Sequence, residues 1–167
     1  GLKCILWQIP IVKYINSLHH LQKDRDEEYA LEHGFCAKKK DGTPYRMPEG
    51  WFTDSLLVDF TDRGAADWYM DKRKYLVEDV KIDGFKTDGG EFVFGDDVQF
   101  SDGRTGREMR NAYPNLYIGE HYRYIHEKRD GIVFSRAGYT GAAAMPAHWA
   151  GDERSTFSAF KRNLCAG

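Results

Sequence analysis

Four short apolar runs of strand-forming residues, with helix-like stretches between them, limit this chain to a narrow set of folds. The runs are Lys3-Cys4-Ile5-Leu6-Trp7, Ser55-Leu56-Leu57-Val58-Asp59-Phe60, Ile82 to Thr87, and Gly131-Ile132-Val133-Phe134-Ser135-Arg136. Strands that alternate with helices pair in parallel through right-handed crossovers. After the second run Thr61 or Asp62 offers an N-cap. Ala65, Trp68, Tyr69, Tyr75, Leu76 and Val80 then recur at three- and four-residue spacing, which predicts an amphipathic helix over about 64–79. Met109, Tyr113, Leu116, Tyr117, Tyr124 and Ile125 predict another over 108–128, bent or shortened by Pro114 and Gly119. Looser spacing of Leu18, Leu21, Tyr29 and Leu31 predicts a helix over 16–33, closed by Gly34. Phe157, Phe160 and Leu164 share one side of a helix that starts near Thr156, the stretch 38–50 reads as loop or hairpin, and 95–106 and 138–146 read as loops.

A complete (β/α)8 barrel takes about 250 residues, so four strands in 167 residues would be about half of one. An open parallel sheet in a complete small domain is the competing α/β architecture. Gly1 stands just before a strand-like run and Gly167 just after a helix-like one, as expected of a fragment in which 1–167 is one partial domain of a longer chain.

The third run ends on a carboxylate and breaks into glycines, Thr87-Asp88-Gly89-Gly90-Glu91, and Asp152 closes Pro146-Ala147-His148-Trp149-Ala150-Gly151 in the same way. Acids at the ends of parallel strands stand where strand-helix repeats build their active sites. Glycoside hydrolysis needs two carboxylates about one bond, and Asp88 with Asp152 can supply them. Two other readings compete: Asp88, Glu91, Asp152, His148 and Glu120 could converge on a metal, although their spacing matches no ligand motif, and strand-end acids also cap helices or pair with Lys86 and Arg136. Lys86 lies two residues before Asp88, so a strand directs both to one face, where the amine would keep the acid ionised. Gly89 and Gly90 leave room for a ligand to approach the backbone, and Trp7 and Trp149 can wall a sugar ring.

Composition narrows the partners. With 24 Lys and Arg against 26 Asp and Glu, the net charge of -2 offers no broad footprint for nucleic acid or an anionic membrane. No stretch approaches the ~20 apolar residues of a membrane span, and no charged and apolar leader opens the sequence. Cys4, Cys36 and Cys165 are odd in number and far apart, which indicates neither a disulfide framework nor a zinc site. A small neutral ligand fits this balance, with no cofactor or metal required and localisation left open.

Together these segments carry a family resemblance. Phe85-Lys86-Thr87-Asp88-Gly89-Gly90-Glu91 resembles the nucleophile segment of glycoside hydrolase family 31, in the form with Lys found in its α-xylosidase-like members. Phe134-Ser135-Arg136-Ala137-Gly138-Tyr139-Thr140-Gly141, followed by Pro146 to Asp152, resembles the acid/base segment of the family, and Leu2 to Pro10 and Asp59-Phe60-Thr61 also fit. The resemblance implies a (β/α)8 barrel, a TIM barrel, present as a fragment covering about strands 3 to 6. The remaining barrel strands and β-domains would belong to the rest of a longer chain. It implies a retaining α-glycosidase that releases terminal α-linked sugars from a carbohydrate substrate, with Asp88 as nucleophile and Asp152 as general acid/base. Trp7, Lys86, Gly89, Arg136 and Trp149 would line the sugar subsite. Members often carry an aromatic residue or Met where this chain has Gly89, which implies a wider pocket beside the reacting carbon and a likeness to the α-N-acetylgalactosaminidase-like branch. Ala142-Ala143-Ala144-Met145 replaces a stretch that usually holds Gln and a basic or aromatic residue. A catalytically inactive barrel fragment, or a sugar-binding remnant, is the competing expectation.

Overall fold

The computed structural model describes residues 1–12, 21–145 and 147–166. In chain order its elements are β1 (Ile5–Gln8), β2 (Ile11–Val12), α1 (Leu21–Glu32), β3 (Lys38–Lys39), β4 (Leu56–Leu57), α2 (Arg63–Asp71), α3 (Lys74–Glu78), β5 (Gly84–Thr87), β6 (Val98–Gln99), α4 (Gly106–Lys128), β7 (Ile132–Ser135) and α5 (Phe157–Ala166), with a 3-10 turn at Ala142–Ala144. The central feature is a three-stranded parallel sheet in the order β1-β5-β7. Its register aligns Leu6, Phe85 and Val133 in one row and Trp7, Lys86 and Phe134 in the next. Because side chains alternate across a strand, the first row faces the helical layer, where Phe85 and Val133 are fully buried, and the second row is left half open. β5 approaches β7 so closely that a Cβ on Gly84 would lie 1.9 Å from the Ile132 carbonyl oxygen.

The run from Ser55 to Phe60 does not join this sheet, contrary to the expected fourth parallel strand. It is a strand only at Leu56–Leu57, paired antiparallel with β2. Leu56, Leu57 and Val58 are all buried, so the apolar run reports burial faithfully and says nothing of pairing direction. The place beside β7 is taken by Ala147 to Trp149, which run parallel to it. Ala147 donates its N–H to the Val133 carbonyl at 2.9 Å, and Trp149 donates to Ser135 at 3.1 Å. The stretch 38–50, expected as loop or hairpin, bridges Lys38 to Pro44 antiparallel, and its β3 also pairs antiparallel with β6, in a stretch expected to be loop.

The helix expected over 64–79 is two helices. Asp62 caps α2 by accepting from the Ala65 amide at 2.9 Å, as one of the two expected caps. At Arg73 the ladder breaks: its N–H turns to the Met70 carbonyl at 2.8 Å while its guanidinium takes the freed Tyr69 carbonyl and lies 3.3 Å from the Tyr69 ring centroid. The break leaves Tyr75 and Val80 exposed rather than packed on the sheet.

α4 shows the opposite departure. It runs unbroken for 23 residues through Pro114 and Gly119, capped by the Glu108 carboxylate on the Thr105 amide at 2.8 Å. A proline inside a helix costs about 3 kcal/mol. Here Met109, Tyr113, Tyr117, His121 and Ile125 all bury against the sheet side, and that packing holds the helix through the missing bond.

Asn16 and Leu18 lie outside the described residues. α1 begins at Leu21 and buries Glu27 and Ala30, whereas Leu21, Tyr29 and Leu31 are exposed. Phe157, Phe160 and Leu164 on α5 are exposed as well. Cys4, Cys36 and Cys165 are all free thiols, with burial pushing Cys36 up to about 12. Among the described residues no helix is long and apolar enough to cross a membrane.

Candidate active site

The parallel strands end together; Trp7 and Lys86 sit on the rung before the last, and Asp88 and Arg136 follow the last rung. Asp88 comes directly after β5, its N–H bonded to the Gln8 carbonyl at 3.0 Å; Arg136 comes directly after β7, bonded in the same way to Thr87 at 3.0 Å. The ladder thus extends one residue beyond each strand and fixes where both side chains start.

Asp88 is 7% exposed and richly solvated by protein. Trp7 donates its indole N–H to Oδ2 at 2.6 Å, Lys86 donates to the same oxygen at 3.2 Å, and the Gly89 amide donates to Oδ1 at 2.9 Å. Burial alone would raise this carboxyl, but the Trp7, Gly89 and Lys86 donors together outweigh it and hold the acid below the usual carboxylate range. Asp88 is therefore an ionised carboxylate at neutral pH.

Arg136 connects the two acids. Its Nη1 stands 3.7 Å from Asp88 Oδ1 and 3.7 Å from Asp152 Oδ2, so those two oxygens lie within twice that distance of each other. Its Nε donates to Glu91 Oε1 at 2.8 Å. Asp152 differs sharply from Asp88 in environment, its side chain being 84% exposed. Lys86 Nζ lies 4.0 Å from the Trp149 ring centroid, and Trp149 in turn packs on Phe134 with centroids 5.6 Å apart. Trp7, Lys86, Asp88, Arg136, Trp149 and Asp152 are thus gathered at the C-terminal end of the parallel strands.

Gly89 does not open the wider pocket expected of it. A Cβ there would lie 2.5 Å from two Phe92 ring atoms and 2.7 Å from Ile9 Cδ1, and its φ is +66°. Phe92 fills the space that a side chain at this position would take, so the argument for an N-acetyl pocket loses its basis. What Gly89 contributes is an amide aimed at Asp88.

Two residues of the site escaped the sequence reading. Glu91, expected as a metal-ligand candidate and as the last residue of the nucleophile segment, is the partner of Arg136 Nε. Trp51 lies under the Arg136 guanidinium, 5.3 Å from its carbon, and packs edge-on to Phe92 at 5.8 Å. The loop that carries it holds Phe52 and Asp54 at φ of 63°, a conformation costing about 1 to 3 kcal/mol for such residues and concentrated at functional sites. A tryptophan in a turn beside Pro48 and Gly50 was the available signal.

The metal alternative finds no support in the placement of its ligands. Glu120 is held by Arg63 at 2.9 Å and Arg123 at 2.8 Å, and among the described residues no group of three or more His, Cys, Asp or Glu side chains could hold an ion.

Comparison with known proteins gives a consistent result. The model for the glycosyl hydrolases family 31 TIM-barrel domain matches residues 1–167. An isomaltosyltransferase of Sporosarcina globispora is 47% identical over 169 residues, covering all of this chain and 15% of that protein. A cycloalternan-forming enzyme from Listeria monocytogenes, solved with a pentasaccharide substrate, superposes with a TM-score of 0.93 at 42% identity, over 99% of this chain and 16% of that one. A cycloalternan-degrading enzyme from Trueperella pyogenes, solved with a covalent intermediate, superposes with a TM-score of 0.90 at 40% identity, over 100% of this chain and 23% of that one. The chain spans less than a quarter of the length of these relatives.

Proposed function

The chain belongs to glycoside hydrolase family 31, and from that premise we propose that it is the part of a (β/α)8 barrel, about strands 3 to 6, that carries both catalytic acids of a retaining α-glycosidase. The observation that carries this reading is Arg136 Nη1 set at 3.7 Å from each of two carboxylates in unlike surroundings. One acid is buried and kept ionised, as a nucleophile must be. The other is exposed at the site mouth, where it can exchange protons with a leaving oxygen and with water. A retaining pair stands about 5 to 5.5 Å apart, within the span that the shared arginine allows.

In the first step an Asp88 oxygen attacks C1 of the α-linked sugar, the C1–O bond to the leaving group breaks, and the Asp152 proton passes to the departing oxygen. The product is a β-glycosyl ester. In the second, Asp152 takes a proton from water, the new oxygen attacks C1, and the ester bond breaks, so the α-configuration is restored and both acids return to their starting states. An acceptor hydroxyl in place of water gives transfer instead of hydrolysis, and the likeness to an isomaltosyltransferase favours keeping that second reading. Trp7, Lys86, Arg136 and Trp149 line the sugar, and the substrate class is α-linked gluco-oligosaccharide with an isomaltosyl unit. The other barrel strands and β-domains come from the rest of the protein.

The full-length protein, assayed on a panel of nitrophenyl α-glycosides and isomaltosyl oligosaccharides, tests the reading. Asp88→Ala and Asp152→Ala are each expected to abolish turnover, and azide should rescue Asp88→Ala with a β-glycosyl azide as product. Undiminished turnover in either variant would sink the assignment and leave the inactive-fragment reading.

A further inference from the structure

A second cleft begins where the first site ends. Beyond the Arg136–Glu91 ion pair a cavity of about 590 Å³ opens between the loop after β5, the N-terminal half of α4 and the start of the loop after β7. Its size falls in the range of small-ligand pockets, roughly 300 to 1,000 Å³. Phe94, Arg110, Asn111 and Pro114 form its far side, and Arg136 and Glu91 form the wall it shares with the two catalytic acids.

We propose that this cleft is a subsite for a second hexose of the oligosaccharide whose first hexose reacts at Asp88; the proposal rests on the glycosidase reading given above. The lining has the chemistry of sugar recognition. Phe94 is 57% exposed although it is a large apolar side chain, and it offers a flat face to the C–H side of a pyranose. The Asn111 side chain is exposed and makes no hydrogen bond within the described residues, so its amide is free to donate to one hydroxyl and accept from another.

A neutral polyol fits better than an anion. Arg110 is already paired with Asp96 at 2.9 Å and Arg136 with Glu91 at 2.8 Å, so each cation in the cleft is matched by a carboxylate. These pairs still present planar edges with free N–H and lone-pair positions, which suit the neighbouring hydroxyls of a sugar. Trp7, Lys86 and Phe134 share one row of the parallel sheet, with Trp149 packed on Phe134, whereas this cleft sits over the β5–α4 loop beyond Arg136. Asp88 is not among the residues lining the cleft, and Arg136, which borders it, stands 3.7 Å from Asp88, so a sugar in the cleft lies next to the reacting unit and is not the reacting unit itself.

Phe94→Ala and Asn111→Ala in the full-length protein test the proposal with α-glucosyl fluoride, α-isomaltosyl fluoride and an isomaltosyl-containing tetrasaccharide. The expected result is a fall in kcat/KM on the tetrasaccharide of about tenfold, with α-glucosyl fluoride unchanged. A parallel loss on α-isomaltosyl fluoride places the second hexose on the non-reducing side, and no such loss places it on the leaving-group side. Calorimetric titration of the tetrasaccharide supplies a readout independent of turnover, and Phe94→Ala should weaken its binding by about tenfold. Equal losses on all three substrates, or unchanged titration and unchanged kinetics, overturn the subsite. A wild-type protein that turns over none of them yet binds the tetrasaccharide through Phe94 overturns the glycosidase reading alone.

Discussion

Glu91 Oε1 accepts the Nε–H of Arg136 at 2.8 Å, and this contact decides which way the guanidinium faces. With Nε engaged on Glu91 and the guanidinium carbon lying over Trp51, Nη1 is left directed toward Asp88 and Asp152. Glu91 is a positioning residue, acting on the acids only through the arginine.

Glu91→Gln keeps the shape and the acceptor oxygen but removes the charge that favours one rotamer of Arg136. The loss of a charge-assisted contact in this half-exposed place is worth about 1.4 kcal/mol, roughly a tenfold fall in kcat/KM. On the proposed reading Arg136 lines the sugar, and the fall should then appear partly in KM. Arg136→Lys made on top of Glu91→Gln should add little beyond Arg136→Lys alone; fully additive losses in this double-mutant cycle would show that Glu91 acts by another route.

Trp7 sets the ionisation of Asp88. Its indole N–H is the first of the donors that offset burial and hold the carboxyl below its ordinary value. Trp7→Phe removes the donor and keeps most of the ring, so the Asp88 pKa rises. Activity that requires ionised Asp88 in the free enzyme is then lost at a higher pH as the solution is acidified. The acid limb of the kcat/KM profile should move upward while the alkaline limb stays in place. A depressed native pKa also stabilises the fold above the unfolded carboxyl value, a contribution lost as pH falls through the native pKa. Trp7→Phe should shrink that acid-side contribution. An unmoved acid limb would count against Asp88 as the group being titrated.

Substituting Gly89 separates a packing role from a specificity role. In Gly89→Ala the new methyl meets Phe92 and Ile9 at a backbone φ of +66°, which together should destabilise by about 1 to 3 kcal/mol. A lower melting temperature with an unchanged substrate profile is expected, and Phe92→Leu in the same chain should restore part of the stability. A stable Gly89→Ala protein with altered sugar preference would instead support the open-pocket expectation.

The placement of Asp88 was legible in the sequence because it ends an apolar run, and strand periodicity puts Lys86 and Asp88 on one face whatever the surrounding fold; the run before Asp152 is instead a half-exposed stretch with one bridge to β7. The parallel rows of β1, β5 and β7 were legible for the same reason. Direction of pairing was not: Leu56-Leu57-Val58 is as apolar as a barrel strand, yet it is buried by antiparallel neighbours. The break at Arg73 and the continuity at Pro114 depend on a guanidinium finding a carbonyl and on tertiary packing, neither of which leaves a mark in local spacing. Glu91 and Trp51 were missed because they act through Arg136, across an interval in sequence that only the folded chain closes.

Asp59, matched by the family resemblance but assigned no role, holds the loops around this site together. It is 1% exposed, and its Oδ1 accepts from the Thr61 amide at 2.9 Å and hydroxyl at 2.6 Å, while Oδ2 accepts from the Ser101 amide and hydroxyl, both at 2.7 Å. Every lone-pair position is used, so the chain after β4 is tied to the loop that leads into α4. Asp59→Asn replaces one oxygen with an NH2 facing an amide N–H, leaving two donors opposed in a buried place. The cost should be about 2 to 3 kcal/mol, that of a buried donor left unsatisfied plus a lost charged acceptor. Chemical denaturation should show that loss, and hydrogen exchange should rise at the Thr61 and Ser101 amides before it rises in β5. Unchanged protection at those two amides would mean that the loops are held by apolar packing alone.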